Sequence, residues 1–270
     1  MIERIWDRTL GFIGAHRSAV FTVAAVVLFV PDVVIAILSL VVKDVGAAAN
    51  GPGMVTFLAT LAAIFGKTAL TALTLAPAEG AAAALRVGAR RTPLVIAAFL
   101  VLGLVGSILL LPVLFGLVAA GYDFDAAAAG RPQAMPAGPL ALITEVYAFV
   151  FALLGLVVLA RLSPLYATIV VERRAAGAIG RAYGLTRGHT WKLVGALLLY
   201  FIVSTVSVLA AQSVFGLVFR LVDPLSGPFG FAAIATAIVA AAVQTIFAVL
   251  ALVFCAELYR AATAPTMRAT

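Results

Sequence analysis

Three ionisable side chains stand inside long apolar runs of this chain: Asp32, Lys67 and Glu145. A charge at the middle of a bilayer costs at least about 2.5–3.5 kcal/mol on insertion scales, so each of them asks for a partner or a task. At about 1.5 Å of helical rise per residue, an Asp32 carboxylate and a Lys67 ammonium come within reach of each other inside one helical hairpin. Lys67 also shares a helical stripe with Thr60, Thr71 and Thr74, which is expected to face inward. Asp32, Lys67, Thr71 and Glu145 thus form the expected intramembrane polar cluster, with Ser204, Ser207, Gln212 and Gln244 lining the same interior. Two uses fit it. One is structural pairing, with each Thr hydroxyl satisfied on the carbonyl four residues back; the other is a path or binding place for a solute.

Other chemistry is poorly supplied. One Cys and two distant His, His16 and His189, make no zinc ligand set. Asp123 and Asp125 offer two carboxylates where a calcium cage takes about six to eight oxygens, so they read as solvated loop charges. No Ser or Cys is arranged with His189 as a nucleophile pair, and neither a phosphate-binding glycine loop nor a zinc protease motif occurs. No catalytic residue, metal or cofactor is expected.

The elements that must position these residues follow from composition. Of 270 residues, 64% are hydrophobic and 11% charged, whereas an average soluble domain has about 25% charged residues. Lipid must solvate such a body. Crossing about 30 Å of hydrocarbon takes roughly 20 apolar residues in a helix, the one open segment whose backbone satisfies itself. Six segments qualify: 18–42, 54–76, 94–120, 140–162, 193–219 and 229–256. Turn-forming residues separate them, at 50–53, 121–139 and 223–228. Pro112 is the expected kink in the third. The first run, at about 24 residues, exceeds the 7–15 of a cleavable signal core and is expected to stay as a span. The expected fold class is all-α, a single integral membrane domain over 1–270.

Fourteen of the eighteen basic residues fall on the side of the two termini. The positive-inside rule then predicts cytoplasmic termini. Fifteen Arg against three Lys, with abundant Ala, suggest a GC-rich bacterial genome and hence the cytoplasmic membrane. Topology accounts for the net charge of +7, so no nucleic-acid partner is expected. Arg173, Arg174, Arg181, Arg187, Trp191 and Lys192 gather at the basic interface. They are candidates for contacts with anionic lipid or with a soluble or membrane protein partner, set against a plain topological role.

Three connections on the basic side read as short amphipathic helices leading into a span, from Glu3, Ala81 and Ala178. The unit is helix, span, loop, span, and three repeat-like units cover about 1–76, 77–163 and 164–260. On a helical wheel the third connection sets Ala175, Ile179, Ala182, Tyr183 and Thr186 against Arg173, Arg174 and Arg181. Gly180, Gly184 and Gly188 recur every four residues, a smooth strip expected to pack closely on a neighbour.

The stretch RLSPLYATIVVERRAAGAIGRAYGLTRGHTWKLVGALLL from Arg161 resembles the glycerophosphoryl diester phosphodiesterase membrane-domain family. Pro164, Glu172, Ala178, Arg181, Ala182, Leu185, Thr186, Gly188 and Trp191 carry the resemblance, in detail over about 40 residues. It implies a six-span membrane part without the soluble catalytic barrel, which would need roughly 250 further residues. The expectation is a non-enzymatic membrane scaffold or accessory subunit. A small-solute or lipid transporter using the polar stripe is the alternative, and a lipid-headgroup enzyme ranks third.

Overall fold

The computed structural model describes residues 2–45, 50–128, 138–172, 176–223, 227 and 229–264. Helix α1 (Ile2–Ala15) precedes a first crossing made of α2 (Arg17–Ala24), a π-helical turn (Ala25–Phe29) and α3 (Val30–Val45). Then come α4 (Asn50–Leu75), α5 (Gly80–Ala119), the short α6 (Phe124–Ala128) and α7 (Pro139–Arg161). Two short helices, α8 (Leu165–Glu172) and α9 (Ala176–Leu185), lead into α10 (Thr190–Val222) and α11 (Phe231–Thr263). Six stretches are long and apolar enough to cross a membrane, and no strand occurs among the described residues. The protein is an all-α, multi-pass membrane protein.

Pro31 explains the π-turn. It has no N–H to give the Val27 carbonyl four residues earlier, and the backbone widens so that Val30 donates to Ala25, five residues back. Gly66 of α4 lies against that Val27 carbonyl, where an added Cβ would collide with backbone. The absent side chain therefore lets α4 touch the first crossing at its bend.

Helix α4 is the centre of the bundle and packs against α3, α5, α8 and α11. Its membrane window is 56% buried, against 6% for those of α7 and α10, which face outward. Thr68, Thr71 and Thr74 are buried, and each hydroxyl donates to the carbonyl four residues back, at 2.8, 2.8 and 2.9 Å. Thr60 does the same at 2.8 Å but is exposed, so the stripe does not face one interior along its length.

The register of α4 on α5 fixes depth. Gly88 meets Ala69, with a built Cβ only 2.9 Å from the Ala69 Cβ, and Leu73 and Ala84 share one core cluster. Continuing this antiparallel register two residues sets Lys67 level with Arg90 and Arg91. The second connecting helix is not separate either: α5 runs unbroken from Gly80 through Pro93 and Pro112. No turn-forming cluster divides Gly80 from Leu94, and at about 60 Å this helix is far longer than a bilayer requires.

On the basic face, connections are fastened by arginines. Arg260 of α11 donates to the last carbonyls of α4, Thr74 at 2.6 Å and Leu75 at 2.9 Å, and pairs with Glu257 at 2.6 Å. A cation at a helix C-terminus meets both the orphan carbonyls and the negative end of the dipole. Arg161, ending α7, donates to Thr190 at 3.1 Å and lies 4.2 Å over the Tyr183 ring, while Thr186 donates to the Arg161 carbonyl at 3.1 Å.

Helix α9 departs from its helical-wheel reading. Its buried seam is Ala178, Ala182 and Thr186, whereas Tyr183 is exposed beside Arg161, one residue or about 100° off the seam. The glycine strip packs on nothing among the described residues. A Cβ on Gly180, Gly184 or Gly188 would meet open space, and Gly188 instead serves the turn after α9 with φ +91°.

Candidate functional site

A cavity of about 1280 Å³ opens between α3, α10 and α11 in the half of the protein away from the basic face. Asp32, Ser39, Gln212, Ser213, Gln244 and Thr236 are among its polar lining, with Arg220 and Asp223 near the end of α10. Along α11 it reaches from Ala232 to Gln244, about 18 Å of helix. About half of the lining is polar and half apolar, and hydrocarbon would offer its carboxylate, amide, hydroxyl and guanidinium groups no hydrogen bond. The cavity is a vestibule of mixed lining.

Asp32 is half-buried in this lining, and Thr245 of α11 donates a hydrogen bond of 3.1 Å to its Oδ2. Thr245 is buried and holds the carboxylate from the side of the bundle. Lys67 acts on Asp32 through its charge, yet among the described residues the two make no ion pair within 4.0 Å. The register accounts for this separation. Gly66 touches Val27, so Asp32 stands five residues further along α3, roughly 8 Å deeper than the level of Lys67.

Glu145 lies elsewhere. It is exposed on α7, a helix that packs on α5 and α10, and it is not among the residues that line the vestibule. Thr71 is buried on α4 with its hydroxyl committed to the Lys67 carbonyl. Gln212 and Gln244 do join Asp32, while Ser204 donates to its own helix at Phe201, 3.1 Å away. Of the four-residue polar cluster, Asp32 alone lines the cavity; Lys67 influences it only through its charge, and Thr71 and Glu145 stand apart.

Thr245 had no sequence signal. A lone Thr in an apolar helix usually serves itself, and 213 positions separate it from Asp32.

At the basic interface, Arg181 donates to Glu172 at 3.1 Å with both groups partly exposed, a geometry that contributes little stability in water. Arg187, Trp191 and Lys192 are exposed, Trp191 at 80%. Arg173 and Arg174 lie outside the described residues. Tyr166 of α8 is partly buried beside Phe99, and that burial pushes its phenol up from the ordinary tyrosine range. Among the described residues, no group of three or more His, Cys, Asp or Glu is placed to hold a metal.

In comparisons with known proteins, no family model, no curated protein and no solved structure matches this chain.

Proposed function

We propose that the protein is a non-enzymatic membrane protein that admits a small cationic polar solute to Asp32 through the vestibule and passes it across the bilayer. The observation that carries this reading is the polar cavity whose lining includes a membrane-embedded carboxylate. A scaffold needs no such cavity, and its lining would be costly if it stayed dry. From Asp32 only about 8 Å of helix remains to the level of Lys67, Arg90 and Arg91, so the barrier between the two aqueous sides is thin there. Asp32 supplies the charge that replaces a cation's hydration, Gln212, Gln244 and Ser213 supply hydrogen bonds, and the Lys67 ammonium beyond it opposes free leakage of cations. We also place the basic face in the cytoplasm of a bacterial cell, on the positive-inside bias.

The test is uptake into proteoliposomes, with methylammonium, guanidinium and choline as probes. The expected result is saturable uptake of at least one, lowered at least tenfold by Asp32→Asn with helix content retained. Uptake of none of them above protein-free vesicles, or uptake indifferent to Asp32→Asn, would return the protein to the scaffold or accessory-subunit reading.

A further inference from the structure

Acceptor, aliphatic and cationic groups meet in the lining of the vestibule, and aromatic ones are missing from it. The acceptors include the Asp32 carboxylate and the amides of Gln212 on α10 and Gln244 on α11. Both glutamines are exposed, and among the described residues neither amide has a hydrogen-bond partner. Ile35, Leu40 and Leu217, with a row of alanines along α11, make up most of the apolar half. Among the described residues, no Phe, Tyr or Trp lines the cavity, and its one cation is Arg220.

The register of α10 on α11 sets these groups in order. A Cβ on Gly216 would lie 3.6 Å from the Thr236 side chain, so in this antiparallel pair Arg220 comes level with Ala232. Thr245, which holds Asp32, stands about 20 Å of helix further along α11. Asp223 follows Arg220 at the outer end. The two lining carboxylates are therefore more than about 20 Å apart along the helices, and the guanidinium stands between them.

Resting on the transport reading above, we propose that the solute is a monovalent cation with N–H donors on its head and a short aliphatic body, an alkylguanidinium or a primary alkylammonium. Its head donates to Asp32 and to the two amide oxygens, which take the place of its water, and hydrogen bonds to a charged acceptor are the strong ones. A quaternary ammonium has no N–H to give and is recognised through aromatic faces, which this lining does not supply. A short diamine finds no second carboxylate within its own length and meets Arg220 on the way in. The aliphatic body leaves water for the side chains of Ile35, Leu40 and Leu217.

Four solutes on one butyl body separate these features: butylguanidinium, butylammonium, butyltrimethylammonium and doubly charged agmatine. Each competes with labelled guanidinium or methylammonium for uptake into proteoliposomes. The expected result is inhibition by the first two, with at least tenfold more of the third or the fourth needed for the same effect. Gln212→Leu with Gln244→Leu should narrow the gap between butylammonium and butyltrimethylammonium at least threefold; should that double variant lose its helix content, the wild-type series decides alone. Butyltrimethylammonium competing as well as butylammonium, or choline entering as fast as methylammonium, would overturn the N–H requirement and leave cation transport standing. Agmatine competing equally would overturn the limit to one charge. Should no probe enter at all, the transport reading fails by itself, and calorimetry of the same solutes on the full-length protein in maltoside micelles decides the site. Butylguanidinium bound at least tenfold tighter than butyltrimethylammonium, and lost in Asp32→Asn, supports it; equal binding of the two, or none, overturns it.

Discussion

Thr245 on α11 donates a hydrogen bond of 3.1 Å to the Asp32 carboxylate on α3, joining the two helices that wall the vestibule. A hydrogen bond to a charged group contributes about 1.5–3 kcal/mol. Thr245→Val keeps the shape and removes the donor, so it should cost about that much in reversible unfolding from mixed micelles. In an Asp32→Ala background the same substitution should cost less than half as much. Equal losses in both backgrounds would mean that the hydroxyl does not hold the carboxylate.

The α4–α5 register sets Lys67 level with Arg90 and Arg91, and the Gly66–Val27 contact sets Asp32 further toward the vestibule side. With Cys255→Ser as background, Lys67→Cys should react with a membrane-impermeant cationic thiol reagent added on the basic side. Asp32→Cys should react from the opposite side. Labelling of both from one side, measured in oriented vesicles, would contradict the register and with it the thin barrier.

How far the sequence foretold this arrangement depended on whether a signal was local. Each crossing announces itself in its own twenty or so apolar residues, so all six expected spans are present, although α5 starts at Gly80 where 94 was expected and α11 runs on to Thr263 where 256 was expected. Depth was harder, because an apolar run does not state where along it the membrane surface falls. The contact of Gly88 with Ala69 shows that the last turns of α4 are sheathed by α5 instead. Pairing was hardest. Asp32 has a cation nearby in sequence and a hydroxyl 213 positions away, and only the fold reveals that the hydroxyl makes the contact. The glycine row in α9 misled for a related reason: spacing states which residues share a face, not whether a neighbour stands there.

Arg260 joins three backbone and side-chain acceptors from α4 and α11, and Glu257 beside it is only 7% exposed in its side chain. Removing one partner of a buried pair leaves an uncompensated charge and costs about 3–5 kcal/mol. Arg260→Ala should therefore lower stability by about that amount, with Arg260→Lys intermediate because an ammonium lacks the planar fork. Adding Glu257→Gln to Arg260→Ala should restore part of the loss. An unchanged Tm in Arg260→Ala would show that the α4 end is held by other contacts.

Burial raises the Tyr166 phenol above its unfolded value of about 10. The folded state then keeps its proton where the unfolded chain gives it up, so this residue's contribution is fully present below about pH 10 and declines as the pH rises beyond it. Tyr166→Phe removes that decline. Between pH 9 and pH 11 the wild-type Tm should fall further than that of the variant, and parallel falls would assign the alkaline lability to other groups.

Glycines at contacts and glycines in open space should respond with opposite sign to the same substitution. A methyl at Gly66 meets the Val27 carbonyl, which is backbone and cannot turn aside, and one at Gly88 comes within 2.9 Å of the Ala69 Cβ. Gly66→Ala and Gly88→Ala should each force α4 away from its neighbour and cost about 1–3 kcal/mol, the range of overpacked cores. At Gly180 and Gly184 nothing lies within 4 Å, and the change only removes backbone freedom from the unfolded chain. Gly180→Ala and Gly184→Ala should each stabilise by up to about 1 kcal/mol. Thermal unfolding of the four variants in one detergent decides the matter: a loss at Gly180 comparable to that at Gly66 would mean that α9 packs on a surface through its glycines after all.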